Sequence, residues 1–180
     1  MATDPIKLND REMTLVRNAL DAAEMTEHLL HGDAQTTSIG FAEIYAYATQ
    51  PNYRPSDALR LALTSDSGVR RDFEMLLKNV SIYWMPKVAA ASSGEVSTRE
   101  IDGCRITFHA SKADANQIFV IIEFTDQSAS PRTLFICGQD IPMTKVELPE
   151  VRDGRIQLLL EAASDAVKGL RDIGTEVFLR

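Results

Sequence analysis

The chain has 180 residues and a net charge of −7, with 19 basic against 26 acidic side chains. Nucleic-acid binding relies on clustered Lys and Arg, so this balance argues against nucleic acid as a direct partner. There is no charged leader followed by an apolar run, and no apolar stretch approaches the ~20 residues of a membrane span. These features predict a cytoplasmic protein without membrane contact.

The first predicted element is a long amphipathic helix near the N-terminus. Asn9 followed by Glu12 resembles a capping box, and Gly32 supplies a stop after His31. Apolar residues recur every three or four positions between these signals, which is the spacing of a buried helix face. The pattern therefore predicts a helix over residues 9–31.

Three further helices are expected before residue 88, again from apolar residues repeating at three and four. Proline or serine suits a helix start at 55–56, aspartate caps the next helix, and a proline prevents its continuation. Short connections favour an antiparallel arrangement, so residues 1–88 are predicted to form an antiparallel helical domain. The boundary signals are Gly40, Pro51, Pro55, Ser56, Asp66, Ser67 and Pro86, with Tyr83 and Trp84 continuing the repeat of the last helix.

The second half is predicted to be a mainly antiparallel β-domain over residues 94–180, after a stretch of Ala and Ser. Asp102-Gly103 and Asp153-Gly154 each lie between strand-like runs, the typical signal of a two-residue hairpin turn, although residues 149–152 lengthen the second connection. A short helix capped by Ser164 and a terminal strand close the domain. About seven strands are expected, forming a β-sandwich or a partly open barrel, which makes the whole chain α+β. The predicted strands are 95–101, 104–109, 117–125, 133–137, 145–148, 155–160 and 176–179.

Candidate metal ligands are few. His28 and His31 share a helix face with Glu24, but histidine also suits the last turn of a helix without any ligand. No second half of a metal site is visible, and phosphate and serine-nucleophile motifs are missing from the sequence. We therefore predict no metal, no cofactor and no catalytic residues, and hence a protein that is not an enzyme.

Two alternatives remain open. The β-domain could bind a small molecule or act as an enzyme through Cys137 and His109, brought together across strands. The chain could instead be a homo-oligomeric structural protein, in which the terminal strand 176–180 pairs with its symmetry mate at an exposed sheet edge. Cys104 and His109 lie on opposite faces of one strand and form no pair.

The predicted partner-binding residues are aromatic. All four tyrosines and the one tryptophan lie between residues 45 and 84, and such side chains are favoured at protein interfaces. Members of two pairs should point to different sides of a helix, so at least one of each pair is expected outside the core. The candidates for contact with a protein partner are Tyr45, Tyr47, Tyr83 and Trp84.

Residues 41–77 carry a short tyrosine-bearing helix, an Ala- and Leu-rich segment, and an acidic cap that leads into an Arg- and Glu-rich helix. This order resembles the cytoplasmic helical domain of anti-sigma factors. Zinc-binding members carry a histidine and paired cysteines here, whereas this chain has neither between Gly32 and Gly103, so the resemblance is to the zinc-free kind. It implies a regulatory or adaptor protein that grips a sigma-like helical factor, with no family residue carried over.

Overall fold

The computed structural model describes residues 39–88, 95–138 and 141–180. The predicted helix over residues 9–31, with Glu24, His28 and His31, lies outside the described residues. So does the small-residue stretch predicted to separate the two domains.

Three helices occupy the N-terminal part of the described chain, and their starts confirm the predicted caps. They are α1 (Phe41–Thr49), α2 (Asp57–Ser65) and α3 (Ser67–Val80). The Ser56 hydroxyl accepts from the Leu59 amide at 3.1 Å, and the Asp66 carboxylate accepts from the first amides of α3. These side chains satisfy amide groups that a helix start leaves without partners.

The end of α3 differs from the prediction. The helix stops at Val80, Ser81 is extended, and Tyr83–Met85 form strand β1 instead of continuing the helical repeat. Tyr83, Trp84 and Met85 pair antiparallel with Leu179, Phe178 and Val177. A run of three apolar residues fits both helical and strand periodicity. This run forms a strand because it pairs with the edge of the strand that contains residues 177–179.

Within the described residues, eight strands form two four-stranded antiparallel sheets, which confirms the α+β class, and the two sheets do not form a closed barrel. Sheet 1 has the order β1-β8-β5-β6, and sheet 2 has the order β2-β3-β4-β7. The eighth strand, beyond the seven expected, is β1. The remaining elements are β2 (Thr98–Ile101), β3 (Cys104–Ala110), β4 (Gln117–Phe124), β5 (Thr133–Cys137), β6 (Thr144–Glu147), β7 (Arg155–Glu161), α4 (Asp165–Arg171) and β8 (Glu176–Leu179).

The two central strands of sheet 1 are buried on both faces, and this produces three layers. Phe135, Cys137 and Phe178 share an apolar cluster with α1, α2 and α3 on one side. Alternate residues of the same strands, such as Leu134 and Ile136, share a second cluster with the inner face of sheet 2 and with α4. The helical region and the β-region therefore bury apolar surface against each other, which is a main source of folding free energy.

The Asp153-Gly154 turn forms, but it does not join a hairpin. Both residues have positive φ, 52° and 68°, as a tight turn requires, and Arg152 bridges to Arg155. The strands on either side belong to different sheets, since β6 pairs with β5 and β7 pairs with β4. The predicted hairpin of these two strands is thus wrong. The residue types of a turn determine where the chain reverses direction, but they do not determine which strands pair with each other. The Asp102-Gly103 hairpin does form, joining β2 to β3.

The terminal strand is internal to its sheet. β8 pairs with β1 on one side and with β5 on the other. Both of its edges are occupied, so the predicted pairing of residues 176–180 with a symmetry mate is wrong in this form. The sequence indicates that a segment is a strand, but the strand order of the folded sheet decides whether that strand lies at the edge or in the centre.

Candidate functional site

The four aromatic candidates for partner binding do not share one surface. Tyr47 is only 8% exposed, whereas Tyr45 is 46% exposed and Trp84 is 39% exposed. The Tyr47 ring stacks on Phe73 at 5.4 Å and meets Phe135 edge-on at 5.6 Å. Burial raises the pKa of the Tyr47 phenol. Tyr47 is therefore a core residue beneath the helices and presents little surface to a partner.

Tyr83 is half-buried and faces sheet 2. Its ring stacks on Phe124 at 5.4 Å and lies against Gly103, where an added Cβ would approach the ring to 3.1 Å. Loss of solvent raises the pKa of the Tyr83 phenol, and the carboxylates of Asp126 and Asp102 add to this effect. Tyr83 thus packs the β2–β3 turn against sheet 1 and contributes to structure.

Trp84 lies on the opposite side of β1 and forms the exposed end of an aromatic row. The strand register places Trp84 beside Phe178, Phe178 beside Phe135, and Phe135 beside Lys145. The two phenylalanines are fully buried under the helices. Trp84 is at the sheet edge, where the helices no longer cover it, so part of its ring faces solvent.

A polar and apolar surface surrounds Trp84. The Lys78 ammonium lies 4.6 Å from the centre of the Trp84 ring and 3.3 Å from a carboxylate oxygen of Glu176. Ile82 lies two residues before Trp84 and is also exposed. We call Lys78, Ile82 and Trp84 the Trp84 surface.

Charged side chains of α3 also lie beside Cys137. Arg70 pairs with Glu74 at 3.2 Å and donates to the Gly138 carbonyl. Cys137 is itself buried, and this burial raises the pKa of its thiol, to which the charge of Glu74 adds. Because the thiolate is the nucleophile, a buried thiol of this kind is inert at neutral pH.

Cys137 and His109 are far apart in the fold. Cys137 contributes to the cluster between sheet 1 and the helices. His109 is exposed on the outer face of sheet 2, opposite Phe119, with Nε2 3.3 Å from the Thr107 hydroxyl. The whole core between the two sheets separates them. The structure therefore does not assemble the thiol and imidazole pair of the alternative interpretation.

An open depression of about 600 Å³ lies at the end of the β2–β3 hairpin. Glu100 and Arg105 form an ion pair of 2.8 Å at its wall. Burial raises the pKa of Cys104 in this wall to about 12, so its thiol stays protonated at neutral pH. The lining residues are Glu100, Ile101, Asp102, Gly103, Cys104, Arg105, Glu123, Phe124 and Thr125, with no histidine among them.

Within residues 39–88, 95–138 and 141–180, no three metal-ligating side chains cluster closely enough to hold a metal ion. The helices of those same ranges are too short or too polar to cross a membrane. Comparison with protein-family models, with curated proteins and with solved structures gave no match.

Among the four predicted partner-binding residues, Tyr45 and Trp84 remain as exposed candidates. Sequence periodicity missed Lys78 and Ile82, since it assigned Trp84 to a helix.

Proposed function

We propose that the chain is a non-catalytic regulatory or adaptor protein that binds a protein partner through the Trp84 surface. The observation that supports this is the distribution of exposed large apolar side chains. Seven such side chains occur in the described residues, and six belong to residues 45–88. Only Leu159 lies outside residues 45–88. Exposed apolar side chains beside charged groups are typical of protein-binding sites.

The Trp84 surface combines features that favour tight contact. Tryptophan buries a large area on binding, and residues at the centre of an interface contribute most of the affinity. Trp84 is held by the backbone pairing of β1 and by the Lys78 ammonium against its ring, so little side-chain freedom is lost on binding. Lys78 and Glu176 supply a charged rim next to the apolar centre.

The class of partner follows from the resemblance of residues 41–77 to anti-sigma factors. A sigma-like helical factor is the partner that we propose to test first. An amphipathic helix from such a factor would place apolar side chains against Ile82 and Trp84, in the helix-in-groove manner.

The test is capture of proteins from native lysate by the full-length chain, followed by direct titration of the captured protein. We expect Trp84→Ala to lose a protein that the wild-type chain recovers, and to raise its Kd by about 30-fold, the effect of a typical interface hot spot. Leu61→Ala is the matched control, because Leu61 is an exposed apolar residue on α2 outside the Trp84 surface. Unchanged binding by Trp84→Ala would contradict the proposal, provided that circular dichroism shows both variants folded.

A further inference from the structure

A buried carboxylate lies close to the Trp84 surface. Glu176 is the first residue of β8 and lies two residues before Phe178, so both side chains face the helices. The strand register places Glu176 opposite Cys137, which belongs to the same buried cluster as Phe178. Trp84 lies opposite Phe178 and is therefore a diagonal neighbour of Glu176 on this face. One long side chain can reach both the buried carboxylate and the exposed indole ring.

Lys78 is that side chain. It extends from the last turn of α3, and its ammonium lies 3.3 Å from the Glu176 carboxylate and 4.6 Å from the centre of the Trp84 ring. The Lys78 side chain is 36% exposed, whereas that of Glu176 is 11% exposed. A buried carboxylate needs a counter-charge, so it holds the ammonium inward. A cation–π contact at an exposed ring is weak by itself, and an untethered lysine extends its ammonium into water.

Glu176 is an unfavourable residue for stability at this position. Its second carboxylate oxygen, Oε2, is buried and makes no hydrogen bond within residues 39–88, 95–138 and 141–180. Buried polar atoms without partners are rare, because each has lost its hydrogen bonds to water. An apolar side chain beside Phe178 and Cys137 would avoid that loss. The carboxylate is therefore better explained by its hold on Lys78 than by stability.

We propose that Glu176 regulates the Trp84 surface from inside the protein, by holding the Lys78 ammonium over the Trp84 ring. Glu176 is a positioning residue, since it acts on the ring through Lys78. While the ion pair is intact, Lys78 covers part of the ring and restricts its motion. When the pair is broken, Lys78 extends into solvent and the ring becomes more accessible. The consequence for partner binding rests on the proposed function of this surface, whereas the position of the ring does not.

Acrylamide quenching of fluorescence tests the proposal without any partner, because Trp84 is the only tryptophan in the chain. Glu176→Leu removes the carboxylate and suits its apolar surroundings. We expect its quenching to rise to the value of Lys78→Ala, with a urea midpoint equal to or above that of the wild-type chain. Glu100→Leu is the matched control, since it removes a strand glutamate whose ion pair with Arg105 lies in sheet 2, and it should leave quenching unchanged. Wild-type quenching in Glu176→Leu overturns the proposal.

A double variant separates the action through Lys78 from a general loosening of the structure. Lys78→Ala leaves the buried carboxylate without its counter-charge, so we expect its urea midpoint to fall by about 0.5 M. Adding Glu176→Leu should restore the midpoint and leave the quenching of Lys78→Ala unchanged. Lys78→Arg keeps the charge and stacks on aromatic rings, so its quenching should match that of the wild-type chain. A further rise of quenching in the double variant overturns the proposal, because Glu176 would then act on the ring without Lys78.

Titration of the protein that the wild-type chain captures tests the consequence for binding. We expect Glu176→Leu to raise its Kd by about 3- to 10-fold, the effect of having to order one more side chain on binding. Unchanged binding by Trp84→Ala contradicts the proposed function, and the quenching data still decide the position of the ring. An unchanged Kd for Glu176→Leu, when Trp84→Ala binds more weakly, contradicts the regulation by Glu176 and leaves the proposed function intact.

Discussion

The guanidinium of Arg99 donates to both the hydroxyl and the carbonyl oxygen of Thr175, each at 2.8 Å. Arg99 lies on β2 in sheet 2, and Thr175 directly precedes β8 in sheet 1, so this pair of residues ties the two sheets together. A third bond goes to the Asp172 carbonyl at 3.2 Å. Arg99 is only 7% exposed, and burial lowers its pKa while the Asp172 carboxylate opposes the shift.

We expect Arg99→Lys to lower the free energy of unfolding by about 1 to 3 kcal/mol. Lysine keeps the charge but lacks the planar fork that reaches both oxygens of Thr175, so buried acceptors lose their donors. Urea unfolding measures the change. Arg105→Lys is the matched control, because Arg105 is an exposed arginine on the neighbouring strand, and its effect should stay within about 0.5 kcal/mol. Equal effects of the two changes would show that the hydrogen bonds of Arg99 add no more to the free energy of unfolding than an exposed arginine does.

Substitutions of the two tyrosines of α1 should differ in their effect on the stability of the protein. Tyr47→Ala removes a ring packed between Phe73 and Phe135, and we expect a loss of about 3 to 5 kcal/mol. Tyr45→Ala changes an exposed ring on the same helix and should cost about 0.5 kcal/mol. Thermal unfolding of both variants tests the difference. A stable Tyr47→Ala variant would contradict the buried position of this ring.

Lys145 supplies the C-terminal cap of α1 from outside the helix. Its ammonium donates to the carbonyls of Tyr47, Gln50 and Tyr53 at 3.1, 2.7 and 3.4 Å. We expect Lys145→Met to destabilise the protein by about 1 to 2 kcal/mol, since the helix end loses both its donor and a favourable positive charge. Hydrogen exchange should then speed up in α1 more than in α3. Uniform exchange changes across both helices would argue against local capping.

The buried thiol of Cys104 should make stability depend on alkaline pH. Its pKa rises from 9.0 to about 12 in the folded chain, so the folded state keeps a proton that the unfolded state releases. This contribution is complete below pH 9.0 and declines as pH rises toward 12, with about 1 kcal/mol lost by about pH 10. Cys104→Ala should lose less stability than the wild-type chain between about pH 8 and pH 10 in urea titrations. Identical slopes for the two chains would refute this linkage.

Local signals in the sequence predicted much of the secondary structure. Ser56, Asp66 and Ser164 cap helices because a side-chain oxygen reaches amides two or three residues ahead, within one turn. Asp102-Gly103 closes its hairpin because the turn and both strands are adjacent in sequence. These interactions need no distant part of the chain, so their residue types alone indicate them.

The candidate site was less predictable. Helical spacing assigns Trp84 to a helix and Tyr47 to a partner surface, because such spacing shows which residues share a face but not what covers that face. Cys137 and His109 likewise remained a possible pair until the layers placed a whole core between them. Each of these outcomes depends on contacts between residues far apart in sequence.

The amino-acid sequence by itself determined where most of the described helices and strands begin, which residues turn the chain and which residues are apolar, because these properties depend on neighbours within a few positions. Only the tertiary structure decided that β1 joins β8, that the Asp153-Gly154 turn separates two sheets, and that β8 is central while β7 lies at the end of its sheet. Strand pairing is chosen by the burial of whole faces, and burial exists only when all layers are assembled.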